Sequence, residues 1–154
     1  VADDYRFGES YDANLEIEGW NKIDFDDSAW GNAIKVAAPK GEIKLCEAEP
    51  IVKETEIKPV DIIKDEDGYI YDFGVSDAGV CRLCVNGKKG QKIELQHADT
   101  LKDGKIYLNN VWFYRETWER DKDIIHKDTY ICKGAENEVY QEIYYSQYQK
   151  EAQV

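Results

Sequence analysis

Two histidines, three prolines and four cysteines are all that the 154 residues hold of those types, and methionine is absent. So little histidine confines imidazole chemistry to His97 and His126. His97 falls in phase with Ile93 and Leu95, the placing of a packed strand histidine rather than of a free base. No G-x-S-x-G, P-loop or G-x-G-x-x-G occurs, so neither a nucleophile elbow nor a phosphate cradle is written in the chain. Cationic residues are outnumbered as well: 20 Lys and Arg face 32 Asp and Glu, a net charge of −12. Nucleic acid and anionic membrane surfaces both require a basic face, so both are excluded as partners. No apolar run reaches the roughly 18 residues of a membrane-spanning helix.

Cys81 and Cys84 form a C-x-x-C, with Cys46 and Cys132 elsewhere. The surrounding "GVCRLCVNG" alternates as a strand, which sends side chains three apart to opposite faces. No second C-x-x-C supplies the remaining ligands of a zinc site, and no structural metal or cofactor is expected. Ordinary thiols in a reducing compartment are the reading, which leans to the cytoplasm.

What is present is strand pattern. Hydrophobic residues make up 42% of the chain, enough for one domain with a core, and tyrosine reaches 11. "NLEIEG" sets Leu15 and Ile17 against Glu16 and Glu18. "GYIYDFG" aligns Tyr69, Tyr71 and Phe73, and "QKIELQHA", "DTYICKG" and "EVYQEIYYSQY" continue the period of two. Asp67-Gly68, Asn86-Gly87, Asp103-Gly104 and Lys133-Gly134 punctuate these runs as turns. No segment holds a helical stripe over three turns. The fold class is therefore all-β, an antiparallel β-sandwich of the jelly-roll or concanavalin-like kind with a short N-terminal extension. Residues 31–60 contain Pro39, Pro50 and Pro59 and read as an extended connection, while 116–128 is a charged loop or short helix. The expected division is 1–45, the tail of a preceding jelly-roll domain or an N-terminal extension, and 46–154, the sandwich.

Three stretches invite chemistry. "DEDG", residues 65–68, resembles part of a calcium loop, but Ile63 stands where an oxygen ligand would be needed, so a hairpin turn is expected. "GWNKIDFDDSAW", residues 19–30, sets Asp24, Asp26 and Asp27 between Trp20 and Trp30. Asp26, Asp27 and Ser28 are turn formers that bond their own backbone, and the two rings are expected to pack the turn onto the sandwich. "VWFYRETW", residues 111–118, is the best binding candidate: Trp112 and Tyr114 share one strand face and Trp118 lies beyond, the flat rings that stack on sugars or pack a core. Among 32 acidic residues no glycosidase pair can be nominated, because the separation that matters is spatial.

Taken in order, several segments resemble one family. "FGESYDANLEIEGWNKIDFDDSAW" is similar to the segment preceding the central sandwich of bacterial α-L-rhamnosidases, with Gly-Glu-x-Tyr-Asp-Ala, then Gly-Trp, then Phe-Asp-Asp-Ser-x-Trp. "GYIYDFGVSDAGVCRLCVNGKKGQKIELQHADTLKDGKIY" looks like the sandwich itself, with Tyr-Asp-Phe-Gly, Ala-Gly, a strand ending His-Ala and Asp-Gly before the next Tyr. "KDTYICKGAENEVYQEIYY" looks like its Asp-x-Tyr strand and the strand after it. Gly74-Val75-Ser76, Val80 and Asp99 depart from the family's usual Gly-Gln-Asn, Trp and Glu. The resemblance implies a glycoside hydrolase whose acid and base lie in a helical α/α barrel following the sandwich. This chain would end where that barrel begins, so no catalytic residue is carried onto it. Its implied partners are the catalytic barrel of the same polypeptide and a rhamnose-containing carbohydrate. On its own it is expected to hydrolyse no aryl rhamnoside. An independent carbohydrate-binding module is the alternative reading, and a structural module of a β-galactosidase-like enzyme a third.

Overall fold

A computed structural model describes residues 2–4, 8–38, 40–45, 47–49, 52–108, 127–141 and 146–153, the first and last stretches as backbone alone. Eleven strands are described: β1 Ala2–Asp4, β2 Gly8–Asp12, β3 Asp61–Lys64, β4 Tyr69–Gly79, β5 Arg82–Val85, β6 Lys92–Ala98, β7 Leu101–Lys102, β8 Lys105–Ile106, β9 Lys127–Ile131, β10 Glu138–Gln141 and β11 Ser146–Gln153. The only helical turn among the described residues is 3-10, over Ala13–Leu15. Two compact units are distinguished, one of Val1–Glu16 with Ile57–Val154 and one of Ile17–Glu56.

In the first unit, seven strands form one sheet in the order β1-β2-β9-β6-β11-β4-β3, and β10 pairs with β5 in a second, two-stranded sheet. The pairings are antiparallel except for β2 on β9, where Ser10, Tyr11 and Asp12 run parallel to Thr129, Tyr130 and Ile131. The core lies between these two layers. Ile93 and Leu95 from β6, Tyr130 from β9 and the adjoining Cys132 pack with Tyr140 from β10 and Ala13, with Tyr11, Leu83 and Val85 half-buried around them. Period two explains the selection. On β6, Ile93, Leu95 and His97 turn inward while Lys92 and Glu94 face water, and from Asp128 the inward series runs through Tyr130 to Cys132.

The turns follow local chemistry. Asp65 N–H donates to Gly68 O at 2.9 Å where β3 turns into β4, so "DEDG" is the expected hairpin turn. Asp103 and Gly104 both take positive φ, 55° and 76°, the requirement of a tight two-residue hairpin between β7 and β8. Asn86-Gly87 and Lys133-Gly134 are not themselves the turns: they lie in the connections that carry the chain between the two sheets, where the turns fall later, at Lys89-Gly90, closed by Gln91 N–H donating to Lys88 O at 2.8 Å, and at Glu136-Asn137.

"NLEIEG" is not the strand its alternation suggests. Asp12 Oδ1 accepts the backbone N–H of Asn14 at 2.9 Å and its side-chain amide at 2.8 Å, capping the 3-10 turn at the point where a strand would have to continue. Leu15 and Ile17 are left exposed. A side chain that offers the backbone a local partner competes with sheet formation, and here it prevails.

In the second unit, residues 17–56, the described residues hold turns but no helix or strand. Lys22 N–H donates to Gly19 O at 2.8 Å, Phe25 N–H to Lys22 O at 3.2 Å and Trp30 N–H to Asp27 O at 2.8 Å.

Candidate functional site

The sequence singles out three places, and the structure treats them differently. Trp112, Tyr114 and Trp118 lie outside the described residues. Around Trp20 and Trp30 the aspartates behave as turn formers: Asp26 Oδ1 accepts Ser28 N–H at 3.0 Å, and that hydrogen bond holds the Asp26 carboxyl below the usual carboxylate range. The rings do not behave as expected. Trp20 is 61% and Trp30 50% exposed, so neither is buried by the turn. Trp30 has only Phe25 as its ring neighbour among the described residues, tilted by 59° with centroids 5.3 Å apart. The reason is that this stretch forms turns and no strand, so it offers the rings no second layer to pack against. Cys81 and Cys84 also separate: Cys81 is half-buried just before β5, and Cys84 points outward from it.

Among the described residues, the densest concentration of polar chemistry is one of which sequence reasoning picked out only His97. Glu9, His97, Asp128 and Glu138 are all buried where β2, β6, β9 and β10 meet. Asp128 Oδ1 accepts Glu9 N–H at 2.7 Å, and Oδ2 lies 2.8 Å from His97 Nε2. Tyr140 donates its hydroxyl to Glu9 Oε1 at 2.7 Å. Gly8 makes this junction possible. It sits at φ +113°, and a Cβ there would collide with the carbonyl of Lys127 and come within 2.8 Å of Asp128 Oδ1.

Glu138 closes the other end. Its Oε2 accepts the Tyr130 hydroxyl at 2.7 Å and Lys133 N–H at 2.8 Å, while Oε1 accepts Gly134 N–H at 2.8 Å and Ala135 N–H at 2.9 Å. Burial opposes its ionisation, yet the phenol and the three amides together hold its carboxyl below the ordinary range. The same arrangement raises the Tyr130 phenol, through burial first and then through the hydrogen bond to Glu138. Tyr130 stacks on Tyr140 with centroids 5.0 Å apart and on Tyr11 at 6.0 Å. Tyr11 in turn donates to Glu16 Oε1 at 2.9 Å, and Lys133 Nζ meets Glu16 Oε2 at 2.5 Å, an ion pair that lowers the Glu16 carboxyl.

A carboxylate held by four donors is a clasp rather than a general acid. Glu138 ties the crossover from β9 to β10 and thereby joins the two layers. Glycoside hydrolysis needs two carboxyl groups directed at one open space. These buried carboxyls are bonded instead to amides, phenols and an imidazole of their own fold. Asp128 and Glu138 did leave a signal in the sequence. Each stands two residues before an inward tyrosine, in "DTYIC" and "EVYQ", where an acidic residue in phase with the core requires partners.

Comparison with known proteins agrees with this architecture. Residues 62–149 match the family model described as the bacterial alpha-L-rhamnosidase concanavalin-like domain, and residues 2–55 match the alpha-L-rhamnosidase N-terminal domain. The chain is 32% identical over 151 residues to an alpha-L-rhamnosidase of Streptomyces avermitilis, covering 92% of this chain and 13% of that protein. Over 128 residues it is 36% identical to an alpha-L-rhamnosidase of Formosa agariphila, covering 82% of this chain and again 13% of that protein. Among solved structures it is similar to the alpha-L-rhamnosidase of Dictyoglumus thermophilum, with a TM-score of 0.76 and 31% identity over 93% of this chain and 15% of that one. The chain thus spans about 13% of the length of the curated relatives it matches.

Proposed function

This chain belongs to the bacterial α-L-rhamnosidase family of glycoside hydrolases, in its N-terminal and concanavalin-like regions, and from that premise we propose that it is a non-catalytic sandwich that buttresses a catalytic α/α barrel on the same polypeptide. The observation that carries this reading is the exposure of large apolar side chains in residues 17–56. Ile23, Ile34, Ile43 and Leu45 are exposed there alongside Trp20 and Trp30. Large apolar side chains left in water within one short unit support a reading in which another part of the polypeptide covers them. The internal bonding of Glu9, Asp128 and Glu138 adds support, since it leaves these groups to the fold rather than to a substrate.

The test has two arms. Purified chain should release no aryl alcohol from an aryl α-L-rhamnoside above a buffer blank. Joined in cis to an α/α barrel of this family, it should raise the barrel's melting temperature. Turnover by the chain alone, or a barrel whose melting is indifferent to it, would sink the reading.

A second reading, a carbohydrate-binding module, draws on the exposed rings of Trp20 and Trp30. Under it, Trp112, Tyr114 and Trp118 would be further stacking candidates for a rhamnose-containing sugar. Calorimetric titration with L-rhamnose separates the two, since only the second reading expects saturable heat that is lost in Trp30→Ala or Trp112→Ala.

A further inference from the structure

Cys81, His97 and Asp128 stand in line. Cys81 Sγ is 4.0 Å from His97 Nδ1, and His97 Nε2 is 2.8 Å from Asp128 Oδ2. A carboxylate only accepts hydrogen bonds, so it orients Nε2 as the donor and leaves the Nδ1 lone pair turned towards the thiol. The imidazole is 2% exposed and cannot swing away, and Asp128 is fixed in turn by Glu9 N–H at 2.7 Å. This is the relation of nucleophile, base and orienting carboxylate, and the nucleophile–base distance in such groups is often loose before a ligand arrives. Cys81, unlike fully buried Cys132, is half-exposed and within reach of a small reagent.

We propose that Cys81 is an activated thiol, a covalent modification site for small molecules carrying a soft electrophilic carbon. In the reaction His97 Nδ1 takes the thiol proton and Sγ attacks the carbon. One S–C bond forms as the bond to the leaving group breaks, and the leaving group departs with the electron pair. His97 then returns the proton to water. Asp128 acts as a positioning residue through His97. Among the described residues, the groups about the imidazole include Asp128 from β9, with Glu9 from β2 behind it and Tyr140 from β10 on Glu9, while β11 places Ala152 opposite His97.

The test is alkylation of the chain by iodoacetamide, followed by peptide mass spectrometry, with exposed Cys84 as the internal reference. An ordinary thiol is only a few per cent thiolate near neutrality, and a more acidic thiolate is somewhat less nucleophilic. Together these give an expected rate advantage for Cys81 of about tenfold at about pH 7, shrinking towards unity above about pH 9 as ordinary thiols ionise. His97→Gln, which keeps an N–H donor but removes the base, should bring the ratio near neutrality to about one while leaving Cys84 unchanged, and Asp128→Asn should lower it partway. A wild-type Cys81 that reacts no faster than Cys84 overturns the proposal. So does a folded His97→Gln chain that retains the advantage. If neither variant folds, the wild-type ratio and its pH profile decide the matter alone.

Discussion

Gly87→Ala tests the packing between the two sheets with one methyl group. Gly87 lies in the segment that leaves β5, and a Cβ there would overlap Cys132 Sγ and come 2.9 Å from Cys132 Cβ. Cys132 cannot yield easily. Its N–H donates to Gln91 O at 2.9 Å, and its carbonyl accepts from Gly90 N at 2.8 Å and Asn14 Nδ2 at 3.1 Å. Its side chain is fully buried among Ala13, Ile93, Leu95, Tyr130 and Tyr140. Overpacking of this kind costs about 1–3 kcal/mol. At about 2–4 °C per kcal/mol for a chain of this size, Gly87→Ala should melt roughly 5 °C below the wild type.

The residue it strikes makes the prediction sharp. Cys132→Ala in the wild-type background removes a buried sulfur and should cost about 1 kcal/mol, as the loss of one core methyl does. In the Gly87→Ala background the same change removes the atom that the new methyl strikes, so it should raise stability instead. The effect of Cys132→Ala therefore reverses sign, with a coupling of about 1–3 kcal/mol. Urea unfolding of the wild type, the two single variants and the double variant measures it. Additive costs would refute the reasoning, because they would mean that Gly87 and Cys132 do not share that space.

The remaining predictions address the polar junction and the exposed rings. Gly8→Ala should destabilise more than Gly87→Ala and resist rescue by any side-chain trimming, because its nearest obstacle is the Lys127 backbone carbonyl and its φ is +113°; circular-dichroism melting of Gly8→Ala with and without Asp128→Ala checks this. The Glu138 carboxyl is depressed in the folded state, so its contribution is complete above the ordinary value of 4.5 and is lost as pH falls below it; melting temperature against pH should fall less steeply there in Glu138→Gln, and an unchanged slope would count against the clasp. Tyr130→Phe removes one of Glu138's four donors and should cost about 2 kcal/mol, as hydrogen bonds to charged groups do, read by urea unfolding. Trp30→Ala should shift melting by less than about 2 °C, since half of the ring is in water and exposed substitutions seldom exceed about 0.5 kcal/mol.

Period two made β6 and β9 legible, because each has a buried face and a wet one. It placed His97 correctly as an inward strand residue. The same rule failed at "NLEIEG", where alternation was present but Asp12 diverted the backbone into a 3-10 turn. Alternation states only that a segment would have two faces if it were a strand. It does not state that a neighbouring strand is there to pair with it. The parallel pairing of β2 on β9 was illegible for a related reason, since it joins residues 119 apart in the chain and rests on Gly8 fitting against Lys127, a match that no local window contains.

The buried acids show what a sequence rule could still extract. Asp128 and Glu138 occupy core phase, where an ionised group is tolerated only with partners. The partners they found are mostly backbone amides from the connection at 133–135 and from β2, which the identity of neighbouring side chains cannot reveal. That choice of partner has a structural consequence. Amides reached through a carboxylate fix where a strand begins and which layer it joins, whereas aliphatic contacts would permit several registers. The junction of β2, β6, β9 and β10 thus holds the two sheets in one arrangement through charge-assisted bonds. It does so around a histidine whose other ring nitrogen is turned towards Cys81, so the rigidity that specifies the fold also positions the base that the buried network presents to a half-exposed thiol.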